Sequence, residues 1–200
     1  EGPLFSDSDF SKERFYQTYN TDLANNFGNL VNRIFKLIKK NFNGIIPDYN
    51  KKINTYIEIG DEKYTITDFF EKFLNKGSIE LIEKVYNELE HININAIAEH
   101  IISYVSRINN YLELTEPWKL AKTDLDATAT VLYSALASLR LSASLLYPLL
   151  PEKMTEFFSM LNNGDTPGTL MKWDGLKPGT ELGEMKALFP RFDMQLLENM

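Results

Sequence analysis

Apolar residues return at intervals of three and four along most of this chain, the spacing that lines one face of an α-helix. Between Lys12 and about Asn43 they are Phe15, Tyr19, Leu23, Phe27, Leu30, Val31, Ile34, Phe35, Ile38 and Phe42, which predicts one long helix. Ser11 can cap its start by accepting bonds from the unpaired amides that follow. Asn43-Gly44 ends it, since glycine readily takes the left-handed conformation that closes a helix, and Pro47 discourages continuation. Residues 50–61 carry Ile53, Tyr56, Ile57 and Ile59 in a pattern that suits either a short helix or a strand. A short helix then runs from Asp68 to Asn75 with Phe69, Phe70, Phe73 and Leu74 inward, Gly77 ends it, and Ser78 caps the next.

That next helix spans Ile79 to about Leu114, loosened around His91 to Asn95, and stops before Pro117 because the residue ahead of a proline is pushed out of the helical region. Asp124 or Asp126 caps a helix from Ala127 to Tyr147, whose small residues suit the centre of a bundle. Pro148 ends it, and Pro151 opens another to Leu161, because the missing proline amide costs nothing at a first helical position. From Asn162 onward Gly164, Pro167, Gly168, Gly175, Pro178, Gly179 and Gly183 predict an irregular tail, with room for one hairpin, that packs elsewhere. The fold expected is an all-α bundle of about five helices over residues 12–162, with an irregular tail over 163–200.

Composition narrows the chemistry. With 200 residues, 44% of them hydrophobic and 24% charged, the chain is long enough and apolar enough to bury a real core. It has no cysteine and only two histidines, His91 and His100, which excludes disulfides and thiol catalysis, leaves no ready metal site and fits a reducing, cytoplasmic setting. The longest apolar run, Val131 to Leu150, is interrupted by four serines and Arg140, so no membrane span is expected. A net charge of -7 argues against binding nucleic acid through phosphates alone. Basic residues do gather at Arg33, Lys36, Lys39 and Lys40 and at Lys119 and Lys122, where a solvated helix face is the simpler reading. The carboxylate pairs Glu80/Glu83 and Asp7/Asp9 read as surface groups and caps, and the two histidines as structural, so no catalytic residue and no cofactor is assigned to this chain.

What remains is a small set of residues suited to holding a nucleobase. Asn29 and Arg33 stand one helical turn apart, an amide beside a guanidinium. The amide can donate and accept on one base edge, and the guanidinium offers a rigid fork of donors. Trp118 follows Pro117 at a helix exit, where its indole either stacks an unpaired base or plugs the bundle.

At these residues a family comes into view. Asn20-Thr21-Asp22-Leu23-Ala24-Asn25-Asn26-Phe27-Gly28-Asn29-Leu30-Val31-Asn32-Arg33 resembles the start of the anticodon-binding domain of methionyl-tRNA synthetases. Glu116-Pro117-Trp118, the Leu145 to Pro151 junction, Trp173 to Gly179 and Leu188 to Asp193 extend the likeness over nearly the whole chain. The resemblance implies that Asn29 and Arg33 hydrogen-bond anticodon bases, that Trp118 stacks the first of them, and that Pro117 shapes the pocket. It implies methionine tRNA, through its anticodon loop, as one partner and a catalytic domain of the same polypeptide as the other. The ATP-binding signatures of that domain do not occur here, so this fragment alone should not aminoacylate. Residues 1–11 would be the remnant of the linker from that domain, and the tail would pack back on the synthetase body. Two other readings stay open: a standalone helical module that binds a protein or, in trans, tRNA, and the equivalent domain of another class I synthetase.

Overall fold

The computed structural model describes residues 11–166, 168, 169 and 173–193. The periodic segments become α1 (Lys12–Thr18), α2 (Asn29–Phe42), α3 (Ile66–Phe70), α4 (Lys76–Glu90), α5 (Ile94–Thr115), α6 (Pro117–Leu120), α7 (Leu125–Leu146) and α8 (Pro151–Leu161). Strands β1 (Tyr56–Ile59) and β2 (Glu62–Thr65) pair antiparallel, Ile57 opposite Tyr64. Tyr19–Gly28 and Glu71–Asn75 wind as wider π turns, so α1 runs without a break into α2, and α3 into α4. The result is the all-α bundle expected: long rods over 12–42, 66–90, 94–115, 125–146 and 151–161, with a single small hairpin.

Helix α7 is its centre, packed against α2, α3, α5, α6 and α8. Asp124 caps it by accepting the Ala127 amide at 2.9 Å and also bonds the Thr55 hydroxyl, and these bonds hold its carboxyl below the usual range. By length and composition α7 could cross a membrane, with mean hydropathy 1.4 over its most apolar window. Yet 89% of that window is buried among the other helices, so its apolar surface serves the core.

Several sequence expectations need correcting. The residues left open at 50–61 end in the hairpin, whose turn uses Gly60 at φ 63°. Gly77 does not end a helix; it lies inside α4, where an added Cβ would come within 2.7 Å of the Arg107 guanidinium, so its smallness lets α5 approach. Ser78 caps nothing and instead donates to the Asn75 carbonyl within the same helix. The loosening at His91 is a full break: Ile92 turns to φ 53° and Asn93 caps α5 through Ala96. His91 and His100 therefore stand on separate elements, the first against the Asn87 carbonyl and the second 3.8 Å from Glu88.

The tail forms no hairpin within the described residues, and several of those residues pack on the bundle. Leu176, Leu182, Leu188 and Phe189 are buried in the common core, and Ile45 bridges Glu181. Trp173 stacks on Phe70 with ring centres 4.5 Å apart and meets Tyr49 and Tyr133 edge-on. Arg140, 4% exposed, reaches from α7 to Asp165 with Nε–Oδ2 at 2.7 Å and Nη2–Oδ1 at 2.5 Å. Burial pushes the Asp165 carboxyl up, but bonds from Arg140 and Asn163 and the charges of Arg140 and Lys177 outweigh it and hold the group below its ordinary value. Asn163 completes the fastening, donating to Asp165 and the Gly175 carbonyl and accepting the Lys177 amide. Of the linker expected at residues 1–11, all but Ser11 lies outside the described residues, Asp7 and Asp9 included, as do Pro167 and residues 170–172 and 194–200.

Candidate nucleic-acid interface

The end of α5 determines where Trp118 goes. Proline at 117 makes the helical region costly for Glu116, which turns left-handed at φ 42° while its amide still bonds the Leu112 carbonyl. Pro117 then begins the single turn of α6 and is buried, which throws Trp118 outward as the second residue of that turn. The indole ends half-buried at the rim of the bundle. The plug expected as its alternative role is filled by the other tryptophan, Trp173, inside the aromatic cluster described above.

Arg33 comes to the same rim from α2. Its guanidinium lies over the Trp118 ring, 4.9 Å from the centroid, and its Nη1 is 2.7 Å from Glu113 Oε1. Asn29 is exposed one turn earlier on α2. Arg33 and Trp118, eighty-five positions apart in the chain, thus share one accessible spot, with Asn29 beside Arg33 along the helix and the buried Pro117 just before the indole in the chain. A cation on an aromatic face is worth ~0.5–1 kcal/mol when exposed.

The remaining basic residues divide. Lys36, Lys39, Lys40 and Lys122 are exposed, whereas Lys119 is tied to Glu116 at 2.6 Å. Glu80 pairs with Arg107 at 3.6 Å, as a surface carboxylate would. Among the described residues no group of three His, Asp or Glu side chains is gathered to hold a metal. An open cleft lined by Lys39, Asn162, Glu181 and Glu184 lies at the ends of α2 and α8 and shares no residue with the Arg33–Trp118 spot. Sequence reasoning missed Glu113, which anchors Arg33, because nothing in the spacing of a lone glutamate on α5 announces a partner eighty positions earlier.

Comparison with known proteins converges on one family. Residues 66–195 match the family model of the anticodon binding domain of methionyl tRNA ligase, and residues 1–35 match that of class I (M) tRNA synthetases. A methionine–tRNA ligase of Clostridium acetobutylicum is 35% identical over 198 residues, 97% of this chain and 28% of that protein. The Bacillus subtilis ligase is 31% identical over 202 residues, again with 28% of its length covered. The chain thus spans little more than a quarter of these relatives. Among solved structures, the free form of Mycobacterium tuberculosis methionyl-tRNA synthetase aligns with a TM-score of 0.75 at 25% identity, covering 92% of this chain and 35% of that one. With its helices superimposing on that synthetase and well over half its length matching one domain model, the chain belongs to the family of methionyl-tRNA ligase anticodon-binding domains.

Proposed function

We propose that this chain reads the anticodon loop of methionine tRNA as part of a methionine–tRNA ligase. In this reading Trp118 stacks an unpaired anticodon base, while Asn29 and Arg33 hydrogen-bond base edges beside it. The observation that carries it is the meeting of Arg33 and Trp118 at 4.9 Å on an accessible rim, supplied by two helices distant in sequence. A half-buried indole at the rim, with a guanidinium over its ring, offers stacking area with little conformational freedom left to lose. Pro117 acts through the backbone, fixing the angle at which the ring leaves the bundle. Catalysis, with its ATP, belongs to a separate domain of the same cytoplasmic polypeptide. The net charge of -7 accords with this division, since recognition of splayed bases needs fewer phosphate contacts than grip on a duplex.

The test is the affinity of the chain for a methionine-anticodon stem-loop carrying a fluorescent label. Trp118→Ala should weaken binding by about 1–3 kcal/mol, the worth of one base stacked on an aromatic ring. Equal affinity of the wild type and Trp118→Ala, or equal affinity of the wild type for a loop with a changed first anticodon base, would overturn the reading.

A further inference from the structure

Between the π turn and α5 lies a polar clasp that the interface described above does not use. Asn26 Nδ2 donates to the Ser106 hydroxyl at 2.8 Å and to the Ile102 carbonyl at 3.3 Å. Asn109 Nδ2 donates in return to Asn26 Oδ1 at 2.8 Å and to the Asn26 main-chain carbonyl at 3.2 Å. Both polar atoms of the Asn26 amide are therefore engaged by α5, across more than seventy residues of chain.

The position of this clasp matters more than its strength. Asn26 lies near the end of the π segment (Tyr19–Gly28) that feeds α2, three residues before Asn29 and seven before Arg33, about 10 Å along the helix axis. Asn109 stands one turn before Glu113, which holds Arg33, and α5 then ends in the elbow that presents Trp118. The two helices are thus tied at two levels, Asn26 to Asn109 and Arg33 to Glu113, with Asn29 exposed between them. Apolar packing sets the distance between the helices, but sliding or rotation along their axes is poorly resisted by side chains without directional bonds. A π turn adds to that freedom, because its wide winding can shift the helix beyond it by part of a turn.

We infer that Asn26 and Asn109 are positioning residues for base reading: their clasp fixes the rotation and height of α2 against α5, and so holds Arg33 and Asn29 at the Trp118 ring. This rests on the function proposed above. Asn109→Ala should lower the affinity of the chain for the methionine-anticodon stem-loop about fivefold, the scale of one or two lost hydrogen bonds. Affinity for the loop with a changed first base should barely move, so discrimination narrows by the same factor. The free protein should also report it, through a changed emission of Trp118 as Arg33 leaves the ring, isolated by subtracting the spectrum of Trp118→Phe.

Loss of stability alone is controlled by Val85→Ala, a core truncation on α4 that removes no hydrogen bond or ion pair of either rung and should leave both discrimination and Trp118 emission unchanged. Should Asn109→Ala fold poorly, Ser106→Ala removes one bond while the Ile102 carbonyl still accepts from Asn26, and is expected to give a smaller change of the same sign. Full discrimination and unaltered Trp118 emission in a folded Asn109→Ala or Ser106→Ala would overturn the inference while leaving the proposed function standing. A wild type that itself fails to discriminate would overturn both.

Discussion

Asp165→Asn isolates the buried ion pair that ties the tail to α7. In the wild type the Arg140 guanidinium is 95% buried as a side chain's surface goes, at 5% exposure against 7% for Asp165, and makes two charged bonds to that carboxylate. An amide at 165 keeps the shape, removes the negative charge and turns one bond into a donor facing a donor. Breaking one side of a buried pair costs ~3–5 kcal/mol because the other charge stays buried. The bends at Gly164 and Thr166 lie near the surface and admit some water, so the lower end, about 3 kcal/mol, applies. For a chain of this size that lowers the thermal midpoint by roughly 6–12 °C. Urea denaturation at pH 7 would measure it directly. The pH dependence supplies a second check. A carboxyl held below its ordinary value in the folded state contributes fully above the unfolded value of about 3.9, and loses that contribution as pH falls through the folded one. The gap between wild type and variant should therefore be constant from pH 7 to about pH 5 and close below about pH 4. A gap under about 1 kcal/mol at pH 7, or one that stays open through acid titration, would refute the account of this pair.

Two backbone positions give further tests. An added Cβ at Gly183 would meet the Ser159 carbonyl at 2.9 Å and the Met160 backbone at 3.3 Å, atoms that cannot step aside, so Gly183→Ala should lower stability by about 1–3 kcal/mol in denaturant titration. Ile92 holds φ 53° and is 58% exposed, so Ile92→Gly removes a strained β-branched residue with little apolar burial lost and should raise stability by about 1 kcal/mol.

Much of the bundle was legible because helix periodicity and helix ends are local. Pro151 announces a start and Pro117 a stop, and each holds its predicted place, while of the two caps open for the central helix Asp124 is the one used. Failures came where a long-range contact decides a local form. Gly77 reads as a terminator until Arg107 is seen against it, and no local signal shows that α4 must let another helix approach there. The π turns carry the same three-and-four spacing as an α-helix, since a single wide turn shifts the apolar face by only part of a turn. Arg140 reads as an interruption in an apolar helix, because its partner lies twenty-five residues on in an irregular tail. At the interface, proline geometry marked Trp118 at a helix exit but left open whether it faced out or plugged the bundle, and helical spacing joined Asn29 to Arg33. The meeting of Arg33 with Trp118 needed the π segment leading into α2 to pack on α5, which no stretch of sequence displays.

The grip on an unpaired base is tested most directly at the indole itself. In nitrogen-labelled protein the two indole N–H resonances, assigned with Trp118→Phe, should respond differently to a methionine-anticodon stem-loop. The Trp118 signal should shift on addition of that loop and far less with a loop altered at its first anticodon base, while Trp173, stacked within the core, stays in place. A Trp118 resonance indifferent to both loops, or one that moves equally with each, would contradict the claim.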